Sequence, residues 1–409
     1  MTYDAVIVGA RIAGTTTALL LAERGYSVLL LDRDRFPSAV MSTHLFFTDT
    51  LDVLARLGVL DRVLAVDAPH LTRLRFPYVD APFAAVHGRD FALCVRRETL
   101  DALLVEAAGA HPNVALRSGT RVTGLVREGE RVVGVRYRPA RGRAAQAEEE
   151  ARARFVIGAD GRHSLVAQEV GTASYAAVPP LFAWYYAYFA GMPLDDPPSA
   201  FAARGALPEV GAEYGASFVF PTDDGQTVVG FGVQRDAFDR FRVRHREHFF
   251  LGLERIPAVA ARLAGARLVG QIVGTGDLPN FLRVPAGPGW ALVGDAGCHK
   301  DPHTAQGMGD ATRSAVLLAQ ALDRWWRGEV DEVEALRDYH LRRDADLLPM
   351  YDFTTGRLEA RLAPEEWEAF GRRSWEDEVL ARARVAAMAH AIPPGQVYSV
   401  EAVRDWLTR

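Results

Sequence analysis

Residues 6–14 read VIVGARIAG, directly after the N-terminal MTYDA. An apolar, strand-like run that breaks at a glycine and re-enters a helical pattern brings a helix N-terminus up to a phosphate. The pattern G-x-G-x-x-G is complete here except at its second glycine, which is Arg11. That glycine normally lets the backbone approach a pyrophosphate, so a long cation there either cancels the motif or alters how phosphate is held. Gly9 permits the sharp turn, Gly14 permits close packing of the helix, and the helix N-terminus at Ile12 and Ala13 offers free N–H groups to an anion. Between them, TTTALLLAERG has helical spacing, and YSVLLLD is a second buried strand ending in Asp32, 23 residues after Gly9. A carboxylate at that strand end, followed by Arg33, suits ribose hydroxyls. The unit is βαβ and favours adenosine binding.

Working outward, the loop RDRFPSAVMSTH leads to an amphipathic helix, TDTLDVLARLGVLDRV, with Gly58 ending its regular part. ETLDALLVEAAGA is another helix; NVALRSGTRVTGLVREGERVVGVRYRPA alternates like a meander with a turn at 128–129. RGRAAQAEEEARAR, at 141–154, reads as an exposed hairpin end or loop, and FVIGADG as a buried strand entering a glycine turn. From 172 to 280 the chain turns strand-like and aromatic, in LFAWYYAYFAG, GASFVFPTDDGQTVVGFGVQ and ARLVGQIVG. GWALVGDAG and a long helix after Gly307 then return to the earlier character, so the first domain is discontinuous. Residues 329–409 are helical in pattern, with Pro364, Pro393 and Pro394 as breaks. The expected fold class is α/β: a doubly wound FAD/NAD(P)-binding domain (1–75, 88–171, 281–328), an inserted, mainly antiparallel β-sheet substrate domain (76–87, 172–280) and a helical C-terminal region (329–409).

A chain of 409 residues that is 49% hydrophobic exceeds what one core usually serves. A net charge of −5 gives no basic footprint for nucleic acid, so a small-molecule substrate is the simpler expectation. Two cysteines, Cys94 and Cys298, argue against a disulfide framework and suit a reducing, cytoplasmic compartment. No signal peptide and no membrane span are expected. Lys300 is the single lysine among abundant arginines. Either it survived by chance or its position needs a compact ammonium.

Two further motifs carry chemistry. RFVIGADGRHSLVAQEVG puts Asp160 and Gly161 at a strand end before a helix beginning near Ser164. GWALVGDAGCHKDPHTAQGMGDATRSAVLLAQAL puts Gly294 and Asp295 at another strand end, where Asp295 suits a polyol chain. The amides of Gln306, Gly307 and Met308 suit a ring edge that becomes anionic.

Together the three motifs resemble the p-hydroxybenzoate hydroxylase-like FAD-dependent oxidoreductases, or group A flavin monooxygenases, with geranylgeranyl reductase-like and halogenase-like branches nearby. The resemblance covers most of residues 1–325. It implies that Gly9, Gly14 and Asp32 hold the ADP part of FAD, and that Arg97, in RRETLD, lies near the phosphates or ribityl chain. It implies a backbone contact from Val122 to adenine, a role for Asp160 and Gly161 with FAD and NAD(P)H, and a grip on the ribityl by Gly294 and Asp295. Pro302, Gln306, Gly307 and Met308 would lie beside the isoalloxazine. Thr43 and His44 end the loop that reaches toward the flavin in that family; for His44 a plain loop position is equally open. Arg11 is expected over or beside the pyrophosphate or the flavin edge.

The implied activity is monooxygenation: NAD(P)H or a separate flavin reductase supplies electrons, and one atom of O2 passes to a small apolar or aromatic substrate, in secondary metabolism by analogy. The alternatives are a reductase or dehydrogenase of the geranylgeranyl reductase-like type, and a flavin-bound non-redox cyclase or binding protein. A halogenase is a minor option, because Trp-x-Trp-x-Ile-Pro is absent and SFVFP stands at 217–221. Candidate substrate-lining residues are Tyr186, Tyr214, Phe218, Phe220 and His303, beside Tyr185 and Tyr188 in the same aromatic sheet. No catalytic acid, base or nucleophile stands out. Pro302 interrupts any helical face shared by His299 and His303, so no metal site is expected.

Overall fold

Strand Thr2–Val8 buries its last four residues and pairs in parallel with Val28–Asp32 on one side and Glu149–Gly158 on the other. The computed structural model describes residues 2–141 and 148–409. Val114–Ser118 and Trp290–Leu292 extend the parallel sheet at its two sides. Parallel neighbours need a crossover, which helix Ile12–Ala22 supplies. Every residue of that helix is buried, because it lies between the sheet and the long helix Gly307–Trp326. Two of its three threonines bond back to the helix itself, Thr15 to the Arg11 carbonyl and Thr17 to the Ala13 carbonyl.

Strand alternation sorts the two faces. Ala5, Ile7, Val28 and Leu30 meet the helices, while Val6, Val8, Leu29 and Leu31 meet a ribbon of Thr120–Glu128 and Arg131–Pro139. The ribbon departs from the expected meander: Val114–Ser118 pairs with Val28–Asp32 instead of with the strand that follows it. Residues 149–154 are likewise no loop. They begin strand Glu149–Gly158, with Ala151 and Ala153 buried and Glu150, Arg152 and Arg154 exposed, and they pair with both the ribbon and the N-terminal strand. The rest of that predicted loop, 142–147, lies outside the described residues.

Among the described residues, a seven-stranded sheet runs in the order 267–275, 182–190, 226–234, 212–221, 199–207, 73–76, 79–82. All its pairs are antiparallel except Ser199–Leu207 with Arg73–Phe76. On Phe182–Ala190, Ala183, Tyr185, Ala187 and Phe189 face helices in 238–263. Phe182, Trp184, Tyr186 and Tyr188 face the interior of the molecule. The C-terminal helices pack on that same side through Met350, Phe370, Leu380, Val385 and Tyr398. Pro364 opens helix Pro364–Glu376, and Pro393 and Pro394 separate Glu378–Met388 from Val400–Thr408. No helix of the described residues is long and apolar enough to cross a membrane.

Candidate functional site

A cavity of about 900 Å³ opens where the parallel sheet, the seven-stranded sheet and the start of Gly307–Trp326 meet. At one end the first strand turns at Gly9 (φ +102°), whose N–H donates to the Leu31 carbonyl at 2.8 Å. A Cβ on Gly9 would lie 2.4 Å from the Ala159 carbonyl oxygen, and one on Gly14 would lie 1.8 Å from the Gly9 oxygen. Neither position admits a side chain. Ile12 and Ala13, in the first turn of the helix, line the cavity; Gly14 lies behind it as the packing contact. Asp32 ends the second strand, its Oδ2 accepting from Ala10 N–H at 2.6 Å and its Oδ1 from Asp34 N–H at 2.7 Å. Burial pushes its carboxyl upward, against the pull of those two amides. Arg33, Thr43 and Val122 also line the cavity.

Arg11 lines the cavity, but its charge is engaged within the protein. Its guanidinium donates to Asp101 Oδ2 at 2.7 Å and Asp34 Oδ2 at 3.0 Å, and to Ser38. Arg97 holds the other Asp101 oxygen from 2.9 and 3.1 Å. Asp101 is wholly buried between the two arginines. Arg11 therefore also acts as a tie between the first helix, the loop after Asp32 and helix Arg97–Ala110. Removing one charged donor from a buried carboxylate costs about 1.5–3 kcal/mol. Arg11→Met is expected to lose that much in thermal unfolding both with and without FAD. Unchanged stability without FAD would rule the tie out.

Asp160 has a structural partner set as well. It borders the cavity, yet its oxygens accept from Ser164 Oγ, Leu165 N–H and Val166 N–H, anchoring the start of helix Leu165–Val170. Gly161 (φ +80°) makes the turn beside it. Gly294 (φ +58°) does not line the cavity; a Cβ there would lie 2.9 Å from Ala13 Cβ, so it sets how closely the two helix starts approach. Asp295 does line it and makes no hydrogen bond or ion pair among the described residues, which leaves its carboxylate for a ligand.

Pro302, Gly307 and Met308 line the cavity at the start of the long helix. Gln306 does not: its amide donates to the Thr304 and Met388 carbonyls and pairs with His390, tying this loop to the C-terminal region. His44 (φ +61°) lies behind the wall, with Arg97 N–H on Nδ1 at 3.3 Å and the Tyr188 hydroxyl on Nε2 at 2.7 Å. Burial drops its pKa to about 3, so the ring is neutral. Cys298 borders the cavity as a thiol, pushed up to about 12 by burial.

The far end is aromatic. Trp184, Tyr186 and Phe218 line it with Met41, Leu45 and Leu278. Of the other substrate candidates, Phe220 stacks on Phe218 at 4.9 Å without reaching the cavity, Tyr214 is 39% exposed beside Phe182, and His303 bonds Asp301. They are corrected to supporting positions. Sequence reading missed Asp101, although it ends the quoted RRETLD, and Asp301. The Asp301 carboxylate accepts from Trp184 Nε1–H at 3.1 Å and from Phe182 N–H, fastening the aromatic wall to the loop after Asp295. Lys300 is buried and donates to Asp310, which also binds Arg313; the single lysine is thus part of the wall.

The chain has the donors and the shape that FAD requires: a side-chain-free cradle at Gly9, a strand-end carboxylate at Asp32, an unpartnered Asp295, and a second helix start opening on the same cavity. Residues 2–232 match the family described as FAD binding domain. A tryptophan 2-halogenase of Chondromyces crocatus is 26% identical over 343 residues, 82% of this chain and 63% of that protein; the chain thus spans less than two thirds of its length. A digeranylgeranylglycerophospholipid reductase of Methanosarcina acetivorans is 25% identical over 329 residues, 78% of this chain and 74% of the reductase. The solved structure of a myxobacterial FAD-dependent halogenase, the chondrochloren halogenase, aligns with a TM-score of 0.79 at 25% identity, covering 99% of this chain and 96% of that one.

Proposed function

The chain belongs to the FAD binding domain family and is an FAD-dependent oxidoreductase, and from that premise we propose that it is a monooxygenase placing one atom of O2 into a small apolar or aromatic substrate. The observation that carries this reading is the continuity of one cavity from the Gly9 cradle, past the start of Gly307–Trp326, to the wall of Trp184, Tyr186 and Phe218. Bound FAD supplies the electron transfer and the oxygen chemistry. The chain's own residues bind, orient and exclude water. Ile12 and Ala13 amides would face the pyrophosphate, Asp32 the ribose, and Asp295 the ribityl hydroxyls. The first turn of Gly307–Trp326 presents unpaired N–H groups, which favour negative charge on a ring edge beside Met308. The aromatic wall keeps bulk water from the reacting atoms. NAD(P)H is the proposed reductant, either directly or through a separate flavin reductase.

A second reading, reduction of a carbon–carbon double bond in a prenyl chain, is favoured by the reductase likeness over 78% of the chain. Substrate-stimulated consumption of NAD(P)H and O2 together is expected for oxygenation. Product formation under anaerobic conditions would select reduction instead, and product formed only with added chloride or bromide would select halogenation. Purified protein is expected to be yellow, with the two-banded visible spectrum of oxidised flavin.

A further inference from the structure

Strand Gln226–Gln234 is central in its sheet, and its positions facing the cavity side are Val228, Gly230 and Gly232. Two glycines in the middle of a strand sacrifice packing and cost backbone entropy, and they mark places where another group approaches closely. The register shows which groups approach. Gly230 stands opposite Tyr186 and Phe218, and Gly232 opposite Trp184 and Ala216. A Cβ on Gly230 would lie 2.1 Å from Phe218 Cε1, and one on Gly232 would lie 2.8 Å from the Trp184 ring. The rings therefore rest on the sheet over the glycines. Phe218 is backed by Phe220 in a stack of 4.9 Å and 16°, and Trp184 is pinned at its Nε1 by Asp301. Both rings form the cavity wall.

The charged groups near this wall are already engaged. Asp301 takes N–H donors from Phe182, Trp184 and His303; Lys300 is paired with Asp310, and Arg97 with Asp101. With Asp295 taken up by the ribityl hydroxyls, a substrate carboxylate or ammonium buried here would lose its hydration with no free counter-charge to replace it. A ring lying parallel to Trp184, with Phe218 tilted against its edge, would gain both apolar burial and stacking.

We propose that Gly230 and Gly232 are specificity-determining positions which let Phe218 and Trp184 lie down on the sheet, inclined 39° to each other, as the wall of a site for a neutral, planar, conjugated substrate. The proposal rests on the reading of the aromatic end as the substrate compartment, and not on which reaction occurs there. If the glycines served only to let rings cover bare strand, their substitution would change stability alone.

The test uses the oxidised FAD-loaded protein without reductant, so that binding is read separately from turnover. Perturbation of the flavin spectrum is titrated with 2-naphthol, with 2-naphthoate at neutral pH, and with decahydro-2-naphthol, which has the same skeleton but is not planar. The neutral aromatic is expected to bind at least about tenfold more tightly than either of the others. Equal or tighter binding of the carboxylate or the saturated alcohol, or no binding of any probe, overturns the proposal. Gly232→Ala is expected to weaken 2-naphthol binding by about tenfold with FAD content unchanged. Phe218→Leu, which keeps an apolar side chain and removes the plane, is expected to weaken 2-naphthol and spare decahydro-2-naphthol. If both variants bind 2-naphthol as the parent does, the glycines set no specificity. Selective binding without O2 consumption would leave this inference standing and remove the oxygenase reading.

Discussion

Gly14→Ala is expected to yield a protein that no longer retains FAD. The added Cβ would sit 1.8 Å from the Gly9 carbonyl oxygen and 2.9 Å from its carbon, and both are backbone atoms that no rotamer change can move. Relief requires the helix to back away from the strand turn. That movement withdraws the Ile12 and Ala13 amides from the cavity and breaks the close approach of Ala13 to Gly294, in the turn after Trp290–Leu292. Overpacking of this kind typically costs about 1–3 kcal/mol, and more where the obstacle is rigid. Because the displaced atoms are themselves those facing the ligand, a loss of about a hundredfold in FAD affinity is expected, equivalent to about 2.7 kcal/mol. Gly25→Ala is the control: Gly25 also has positive φ (+90°), but nothing lies within 4 Å of its would-be Cβ, so only local strain of about 1–2 kcal/mol applies and FAD affinity is unchanged. Fluorescence titration of the apoproteins with FAD, beside thermal unfolding, separates the two. Parent-like FAD affinity in Gly14→Ala would dismiss the cradle.

Much of this site was readable along the chain because its determinants are local. A glycine between an apolar run and a helix reports its own backbone, and Asp32, at the end of five buried residues, reports the strand that delivers it. Alternation likewise exposes the aromatic face of Phe182–Ala190. What the sequence conceals is which charged group meets which. Arg11 finds Asp101 across 90 positions, and Trp184 finds Asp301 across 117. Only the folded packing decides these pairs, so the sequence shows a cation inside a phosphate motif without the carboxylates that hold it. Asp160 is ambiguous for the opposite reason: its partners are four to six residues ahead, and a strand-end carboxylate can serve either a ligand or the amides of the next helix. The run at 149–154 is charged enough to suggest a loop, yet its alternating alanines are a strand's buried face.

Arg313→Met is expected to be among the most destabilising substitutions outside the cradle. Arg313 lies on the long helix and is shared by three carboxylates: Asp310 at 2.8 Å, Asp346 at 2.8 Å, and Asp49 from a helix 264 positions earlier. Lys300 completes the cluster through Asp310. Two cations thus face two buried acids, Asp49 and Asp310, and the half-buried Asp346, and His390 beside Asp346 adds no charge, because burial holds its pKa well below the usual histidine value. Methionine fills much of the arginine's volume but leaves Asp49 and Asp346 without their cation; breaking a buried pair in this way costs about 3–5 kcal/mol. The sign of the pH dependence follows from the acids. Burial already pushes the Asp49 carboxyl above its ordinary value while Arg313 opposes it. With the arginine gone, the folded-state pKa rises further above that of the unfolded chain, so the fold prefers the neutral acid. Stability is then present at low pH and lost as pH rises through the folded-state pKa. The deficit relative to the parent should be largest near about pH 8 and shrink toward about pH 5 in urea unfolding. Arg313→Lys restores a charge without the five-donor fork and should recover only part of the loss. A deficit that is equal at both pH values would mean that the carboxylates find other partners, and that packing alone explains the effect.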